Sequence, residues 1–320
     1  METRFHKYLI TGATGYIGSQ LTWELLRQGK EVEGLVRDAK KAARMFSRRV
    51  KVLSADLADS ASLCALSTSA EAIIHCAAPT QSTYMASKPV ETADSIVLGT
   101  KNVLELAKRC RAKSVVYLSS MEVYGRINSE SGRTTEDELG EIDARAPRSS
   151  YPLGKRMAEY YCRMYAHEYG LPVRIARLAQ TFGRGVAKDD GRVFAQFARS
   201  ALRGEDIVLH TQGLSMGNYC AIDEVVDALL FLAQKGEPGE AYNVVNEANT
   251  MRIRDMAALV QKTLGNGKSQ VVFDLAEGLS HGYAPDTGLR LSAAKLAGIG
   301  WQARKSLTEM YLELASSWNQ

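Results

Sequence analysis

The tightest constraint on this chain is a set of three glycines three residues apart, Gly12, Gly15 and Gly18. They stand between an apolar run, Tyr8-Leu9-Ile10, and a helical pattern that opens at Ser19. A strand that turns on glycine into a helix can bring its backbone against a pyrophosphate. The first glycine makes the tight turn, the second admits the phosphate, and the third lets the helix pack closely on the strand. Thr14, Tyr16 and Ile17 fill the positions between and would share the contact. The spacing is GxxGxxG rather than GxGxxG, which predicts a variant of the nucleotide-binding turn; the alternative is an ordinary glycine-rich strand-to-helix turn.

Beyond this first helix the chain keeps alternating in the same manner. Strands are predicted over 31–36, 50–53, 72–75, 114–118 and 173–179, and helices over 39–46, 60–66, 97–110 and 152–169. The helix over 97–110 rests on Val97, Thr100, Leu104 and Ala107 at helical spacing. Short β-branched runs alternating with helices indicate α/β architecture, a doubly wound parallel sheet covered on both faces. Its ligands would lie beyond the carboxyl ends of the strands, where Asp56, Leu57, Ala77, Ser119 and Ser120 fall. The segment 128–148 is polar and aperiodic and reads as a surface loop. Beyond Phe182 the texture changes: helices are predicted over 193–203, 223–234 and 253–264, the second capped by Asp223, with short strands over 207–209 and 241–245. The division is into residues 1–182, carrying the dinucleotide site and the catalytic residues, and 183–320, mainly a smaller substrate-binding lobe with some segments returning to the first domain.

Composition excludes several classes. A formal charge of +4 with no basic stripe gives nucleic acid no footprint. The five cysteines stand far apart and read as free thiols of a reducing compartment. No apolar run reaches the length of a membrane span and no leader pattern opens the chain, so the cytoplasm is expected. His75, His167, His210 and His281 have no ligand spacing, and no metal site is proposed; His75, at a strand end, reads as part of the wall behind the cofactor.

Tyr151 and Lys155, four apart, share one helix face. There an ammonium is expected to favour the phenolate and lower the tyrosine pKa, so that the tyrosine can take a proton from an alcohol and return it. Ser120, at a strand end, can hydrogen-bond the reacting oxygen. A surface pair and two turn serines are the alternatives.

At this point the chain resembles the extended short-chain dehydrogenase/reductases, in particular the NAD-dependent epimerase/dehydratase group acting on nucleotide-sugars. Thr11 to Gly18 is similar to its cofactor loop, Leu118 to Gly125 to its serine segment, and Tyr151-Pro152-Leu153-Gly154-Lys155 to its catalytic pair. The resemblance continues through Gly99 to Asn102, Ala176-Arg177, Asp190 to Val193 and Ile299-Gly300-Trp301. It implies a Rossmann-type sheet with a smaller C-terminal lobe and a bound NAD or NADP. It also implies a homodimer paired through the helices over 97–110 and 152–169, for which Met157, Tyr160, Tyr161 and Met164 would suit. The implied reaction is oxidation of a sugar hydroxyl, usually at C4, followed by epimerisation, dehydration or decarboxylation.

Three departures from that pattern stand out. Glu122, two positions after Ser120, implies a second acid/base or a substrate contact, while Met121 replaces the aspartate of one dehydratase branch. Arg37 stands where NAD users carry an acid, so Arg37 with Lys40, Lys41 and Arg44 can receive a ribose 2′-phosphate, with Asp38 left as a possible ribose ligand; Asp56 is expected at the adenine. Gly217 replaces the arginine that usually meets the substrate diphosphate. Arg184, Arg192 and Arg290 are possible substitutes, and Thr80 and Gln180 are further substrate contacts. An NADPH-dependent keto-sugar or aldehyde reductase is the alternative reaction; a dinucleotide-binding regulator without turnover is the alternative of another class.

Overall fold

The alternating pattern resolves, in a computed structural model that describes residues 3–127, 132–275 and 287–319, into strands joined by crossover helices. In chain order these are β1 (Lys7–Thr11), α1 (Tyr16–Arg27), β2 (Glu31–Val36), α2 (Ala39–Phe46), β3 (Lys51–Ser54), α3 (Ser60–Cys64), β4 (Ala72–His75) and α4 (Ser82–Ser87). Next come α5 (Pro89–Arg109), β5 (Ser114–Ser120), α6 (Ser150–Tyr169), β6 (Val173–Leu178), β7 (Gln180–Phe182) and α7 (Val193–Arg203). The remainder comprises β8 (Ile207–Leu209), β9 (Met216–Ala221), α8 (Ile222–Lys235), β10 (Ala241–Val244), β11 (Asn246–Arg252), α9 (Ile253–Leu264), β12 (Val271–Phe273), α10 (Ala294–Gly298) and α11 (Leu307–Trp318). Two 3-10 turns, Met121–Tyr124 and Pro147–Ser149, lie between β5 and α6.

Crossover helices force parallel pairing. Seven strands form one sheet in the order β10-β6-β5-β4-β1-β2-β3, all pairs parallel. The order reverses between β1 and β4, and the crevice above their carboxyl ends is where such sheets take ligands. β10, late in the chain, completes the edge beside β6. Two smaller sheets, β11-β9-β7 and β12-β8, stand apart from it.

Strand alternation sorts the core into two layers. Tyr8 and Ile10 of β1 pack with Leu21 and Leu25 of α1 and Val225 and Leu229 of α8. Leu9, one residue out of phase, points to the other face with Ile73, Val115, Leu104 of α5 and Ala158 of α6. A third cluster joins Phe182, Phe194, Tyr219 and Tyr311 beneath α7, α9 and α11, with Phe182 stacked on Phe194 at 4.4 Å between centroids.

Several expectations are corrected here. α5 starts at Pro89, two turns before Val97, because its buried stripe continues through Thr92, whose hydroxyl is satisfied by the Lys88 carbonyl at 2.7 Å. α1 opens at Tyr16 rather than Ser19, with Gly15 as its N-cap. Ser119 and Ser120 belong to β5, in register with Arg177 and Leu178 of β6. Asp223 does not cap α8: Ala221 occupies that position, and the Asp223 carboxylate pairs with Lys305 at 2.5 Å. The strands β7, β9, β11 and β12 had no sequence counterpart. Residues 128–131 of the expected surface loop, and His281, lie outside the described residues.

Candidate active site

The glycine turn sits at the carboxyl end of β1. Gly12 has φ +64°, a left-handed conformation that a side chain would strain, and a Cβ there would come within 2.9 Å of the Ala77 Cα. A Cβ at Gly18 would collide with the Gly12 carbonyl oxygen. No described side chain caps α1, so its first amides compete with nothing for an anion. Thr14 and Gly15 form the outer rim, and Ile17 and Tyr16 are half-buried. The Tyr16 hydroxyl donates to the Arg184 carbonyl at 3.2 Å. Behind the turn, Thr11 Oγ1 bonds His75 Nδ1 at 2.7 Å and accepts from the Ala77 amide, while His75 Nε2 meets Thr100 at 3.2 Å. Burial first, and the nearby Lys155 second, push the His75 pKa down to about 3. It is a neutral wall residue.

At the other end of the crevice Arg37 leaves β2 exposed and makes no hydrogen bond or ion pair among the described residues. Asp38 is occupied as the N-cap of α2, accepting from the Lys41 amide at 2.9 Å. Asp56 is exposed and accepts from the Ala58 amide, while the Leu57 carbonyl is held by Asn102 Nδ2 at 2.8 Å. These residues fit a dinucleotide: the cradle is one that side chains at 12 and 18 would fill, the helix end is open, and a free guanidinium stands at the adenosine end.

The residues expected to be catalytic stand on β5, the 3-10 turn after it and α6. Ser120 closes β5, and its Oγ accepts from the Glu122 amide at 3.2 Å, which turns the chain and presents Glu122. Tyr151 stands in the first turn of α6 beside Ser120. Lys155, one turn on, is buried, with Nζ donating to the Leu118 carbonyl at 2.6 Å and lying 4.7 Å from the Tyr117 ring centroid and 5.7 Å from that of Tyr151. Here an expectation is overturned. The Tyr151 pKa lies above the ordinary phenol value, raised by burial and then by the Glu122 carboxylate, with the Ser120 hydrogen bond and Arg148 opposing. The Lys155 ammonium donates to the Leu118 carbonyl and is itself pushed down to about 8 by burial.

Arg148 is a residue that sequence reasoning missed. Its Nη2 lies 2.9 Å from Glu122, and its guanidinium sits 5.5 Å from the Tyr151 ring centroid. It therefore balances the carboxylate beside the phenol. Arg156 was also missed: from α6 it donates to the Val123 carbonyl at 2.7 Å and the Gly140 carbonyl at 2.6 Å, pinning the turn that carries Glu122. Arg148 stands three residues before Tyr151, the one sequence signal that pointed to it, whereas Arg156 stands five residues after it and had none.

The expected substrate residues are less engaged. Thr80 and Arg290 are exposed, Gln180 opens β7 half-buried, and Arg192 is forked onto Asp190, with Nη2 to Oδ2 at 2.7 Å. Gly217 is closed by its neighbourhood, since any Cβ there would strike the Tyr219 hydroxyl. Among the described residues no cluster of three or more His, Cys, Asp or Glu is arranged to hold a metal, and no helix is long and apolar enough to cross a membrane.

Comparison with known proteins agrees with this geometry. The family model described as "NAD dependent epimerase/dehydratase family" matches residues 8–245. UDP-glucuronic acid decarboxylase 6 of Arabidopsis thaliana is 31% identical over 263 residues, 77% of this chain and 73% of its own length. UDP-glucuronic acid decarboxylase 1 of Xenopus tropicalis is 29% identical over 305 residues, 95% of this chain and 70% of its own. The fold matches UDP-glucose 4-epimerase of Thermotoga maritima with a TM-score of 0.82 at 23% identity, over 98% of each chain. It also matches dTDP-glucose 4,6-dehydratase of Bacillus anthracis, solved with NAD, with a TM-score of 0.79 at 19% identity, over 98% of this chain and 96% of that one.

Proposed function

The chain belongs to the NAD-dependent epimerase/dehydratase family, an NAD(P)-dependent group of enzymes, and from that premise we propose that it oxidises a hydroxyl of a nucleotide-sugar, at C4, and decarboxylates the resulting keto-uronate. The observation that carries this reading is the convergence of Ser120, Glu122, Tyr151 and Lys155 at the carboxyl end of β5, with the glycine cradle of β1 separated from it only by β4. UDP-glucuronic acid, named in the curated relatives, is the first substrate to assay.

The roles rest on the chemistry of the groups. Gly12, Gly15, Gly18, Arg37, Asp56 and Leu57 would hold the dinucleotide, whose nicotinamide supplies a hydride acceptor and donor. Tyr151 takes the hydroxyl proton as C4 becomes a carbonyl, and Ser120 donates to that oxygen. The C5 carboxylate is then β to a ketone. As carbon dioxide leaves, the bonding pair moves into an enolate on the C4 oxygen, which Ser120 and protonated Tyr151 stabilise. Glu122, once it has taken a proton from solvent, is assigned its delivery to C5, and Arg148 keeps Glu122 aimed. Tyr151 returns its proton to the C4 oxygen at the end of the cycle.

Residues 1–182 are assigned to the cofactor and catalysis and 183–320 mainly to the substrate, with Arg184 or Arg290 taking the diphosphate in place of Gly217. A homodimer through α5 and α6 is supported by Leu98, Met157 and Tyr160, which remain 43%, 41% and 54% exposed there. Mass spectrometry of a nucleotide-sugar panel tests the reading. Loss of carbon dioxide from UDP-glucuronic acid is expected, and a panel returned unchanged contradicts it. One observation favours a second reading, a net NADPH-dependent reductase: Arg37 is free and Asp38 is occupied as a cap.

A further inference from the structure

The β5–α6 side of the site stands on a buried ion pair. Glu159 lies one helical turn beyond Lys155 on α6 and is 2% exposed; Arg177 of β6 is 1% exposed. The guanidinium forks onto the carboxylate, Nε to Oε1 at 3.0 Å and Nη2 to Oε2 at 2.8 Å, and the Ser119 hydroxyl donates to Oε1 at 2.5 Å. Arg177 Nη1 continues to the Tyr124 hydroxyl at 3.1 Å and the Glu136 carbonyl at 2.7 Å, and Arg163 approaches Glu159 at 3.7 Å. The pair therefore joins α6, β5, β6 and the turn that presents Glu122.

Stability alone does not explain it, because well-packed apolar side chains hold such a junction as well as a buried ion pair does. The adjacent lysine supplies a reason. Lys155 is 3% exposed, and among the described residues the Leu118 carbonyl is its one direct hydrogen-bond acceptor. An ammonium stripped of water in this way is unfavourable unless a carboxylate stands near, and residue i+4 on the same helix face is that neighbour.

We propose that Glu159 is a positioning residue that keeps Lys155 cationic, and that Arg177, by sharing the carboxylate, sets how strongly it does so. The groups facing Lys155 are Tyr151, Glu159 and Cys162 from α6, Tyr117 and the Leu118 carbonyl from β5, His75 and Cys76 from the end of β4, and Glu122 from the turn. Burial lowers the lysine to about 8, and Glu159 is the largest influence opposing that fall. The functional consequence rests on the proposed function, in which Lys155 stands with Tyr151, Ser120 and Glu122 in the site.

The test is a pH titration of the full chain carrying 13C-labelled lysine, followed by NMR with and without saturating oxidised dinucleotide, the Lys155 signal being assigned with Lys155→Met. Glu159→Gln should move the Lys155 midpoint downward by about one pH unit. Arg177→Met, which leaves the carboxylate wholly to the lysine, should move it upward. A merely structural role predicts no such opposition of sign. Should either single variant fail to fold, the Glu159→Gln/Arg177→Met double variant removes both members of the ion pair together and should show a smaller downward shift. Midpoints that stay put, or that move in the same direction in both single variants, overturn the proposal. Opposed shifts with an unchanged alkaline limb of nucleotide-sugar turnover support it and separate the charge of Lys155 from the reaction proposed above.

Discussion

The β5–α6 side of the site and the residues expected to meet the substrate tail are built on different terms. On the β5–α6 side the charged groups are paired or bonded to backbone: Arg177 to Glu159, Arg148 to Glu122, Arg156 to the Val123 and Gly140 carbonyls, and Lys155 to the Leu118 carbonyl. Among the residues expected to meet the substrate tail, Arg184 and Arg290 are exposed, Arg192 is tied to its own loop at Asp190, and position 217 has no side chain. Reaction geometry needs fixed donors, whereas recognition of a substrate tail tolerates exchange of one arginine for another. The β5–α6 groups are therefore held in place, while the expected substrate contacts are left to solvent or to their own loop.

Substitutions on and off the β5–α6 side can break that contrast. The largest effect is expected from Tyr151→Phe, which should lower turnover about 10²–10⁴-fold while leaving dinucleotide affinity unchanged. Fluorescence titration of the cofactor beside steady-state kinetics checks both halves, and equal rates would remove Tyr151 from the mechanism. Glu122→Gln should leave oxidation at C4 intact but stop formation of the decarboxylated sugar, because C5 is left without its proton, so that reduced cofactor accumulates in a single turnover. A variant as active as the parent would return Glu122 to a mere contact.

Away from the β5–α6 side the effects are smaller and take another form. Gly217→Ala should destabilise the protein by about 1–3 kcal/mol, because the new Cβ meets the Tyr219 hydroxyl, and adding Tyr219→Phe should recover most of the loss. Thermal or urea unfolding reads it. No loss in the single variant would mean that position 217 is open to the arginine its relatives carry. The smallest effect is expected from Arg37→Ala, which should weaken NADP about tenfold relative to NAD, the contribution of one guanidinium–phosphate contact. An unchanged ratio of affinities would leave Arg37 a solvated surface group.

The glycine turn was legible because its geometry permits few other residues, and β2, α2 and β4 were legible because their periodicity is clean. The buried pair was not. Arg177 sits in the strand sequence VRIARL, where every position is buried, and the two arginines there were the available sign that a core charge needed a partner. The partner, Glu159, lies 18 residues away on another element. Spacing alone also misled on the tyrosine. Four residues bring Lys155 to the same face as Tyr151, but the direction of the ammonium is set by the Leu118 carbonyl and its strength by burial. Short polar strands such as β7 exist only through their partners in the small sheet, as when Gln180 pairs with Tyr219, so no local pattern announces them.

The claim that binds these parts together is a closed redox cycle on a nucleotide-sugar. The direct measurement is absorbance near 340 nm while UDP-glucuronic acid and the other nucleotide-sugars are converted by the purified protein. Product formation with no net change in reduced cofactor is the predicted result. Stoichiometric consumption of NADPH would contradict the cycle and make the protein a reductase.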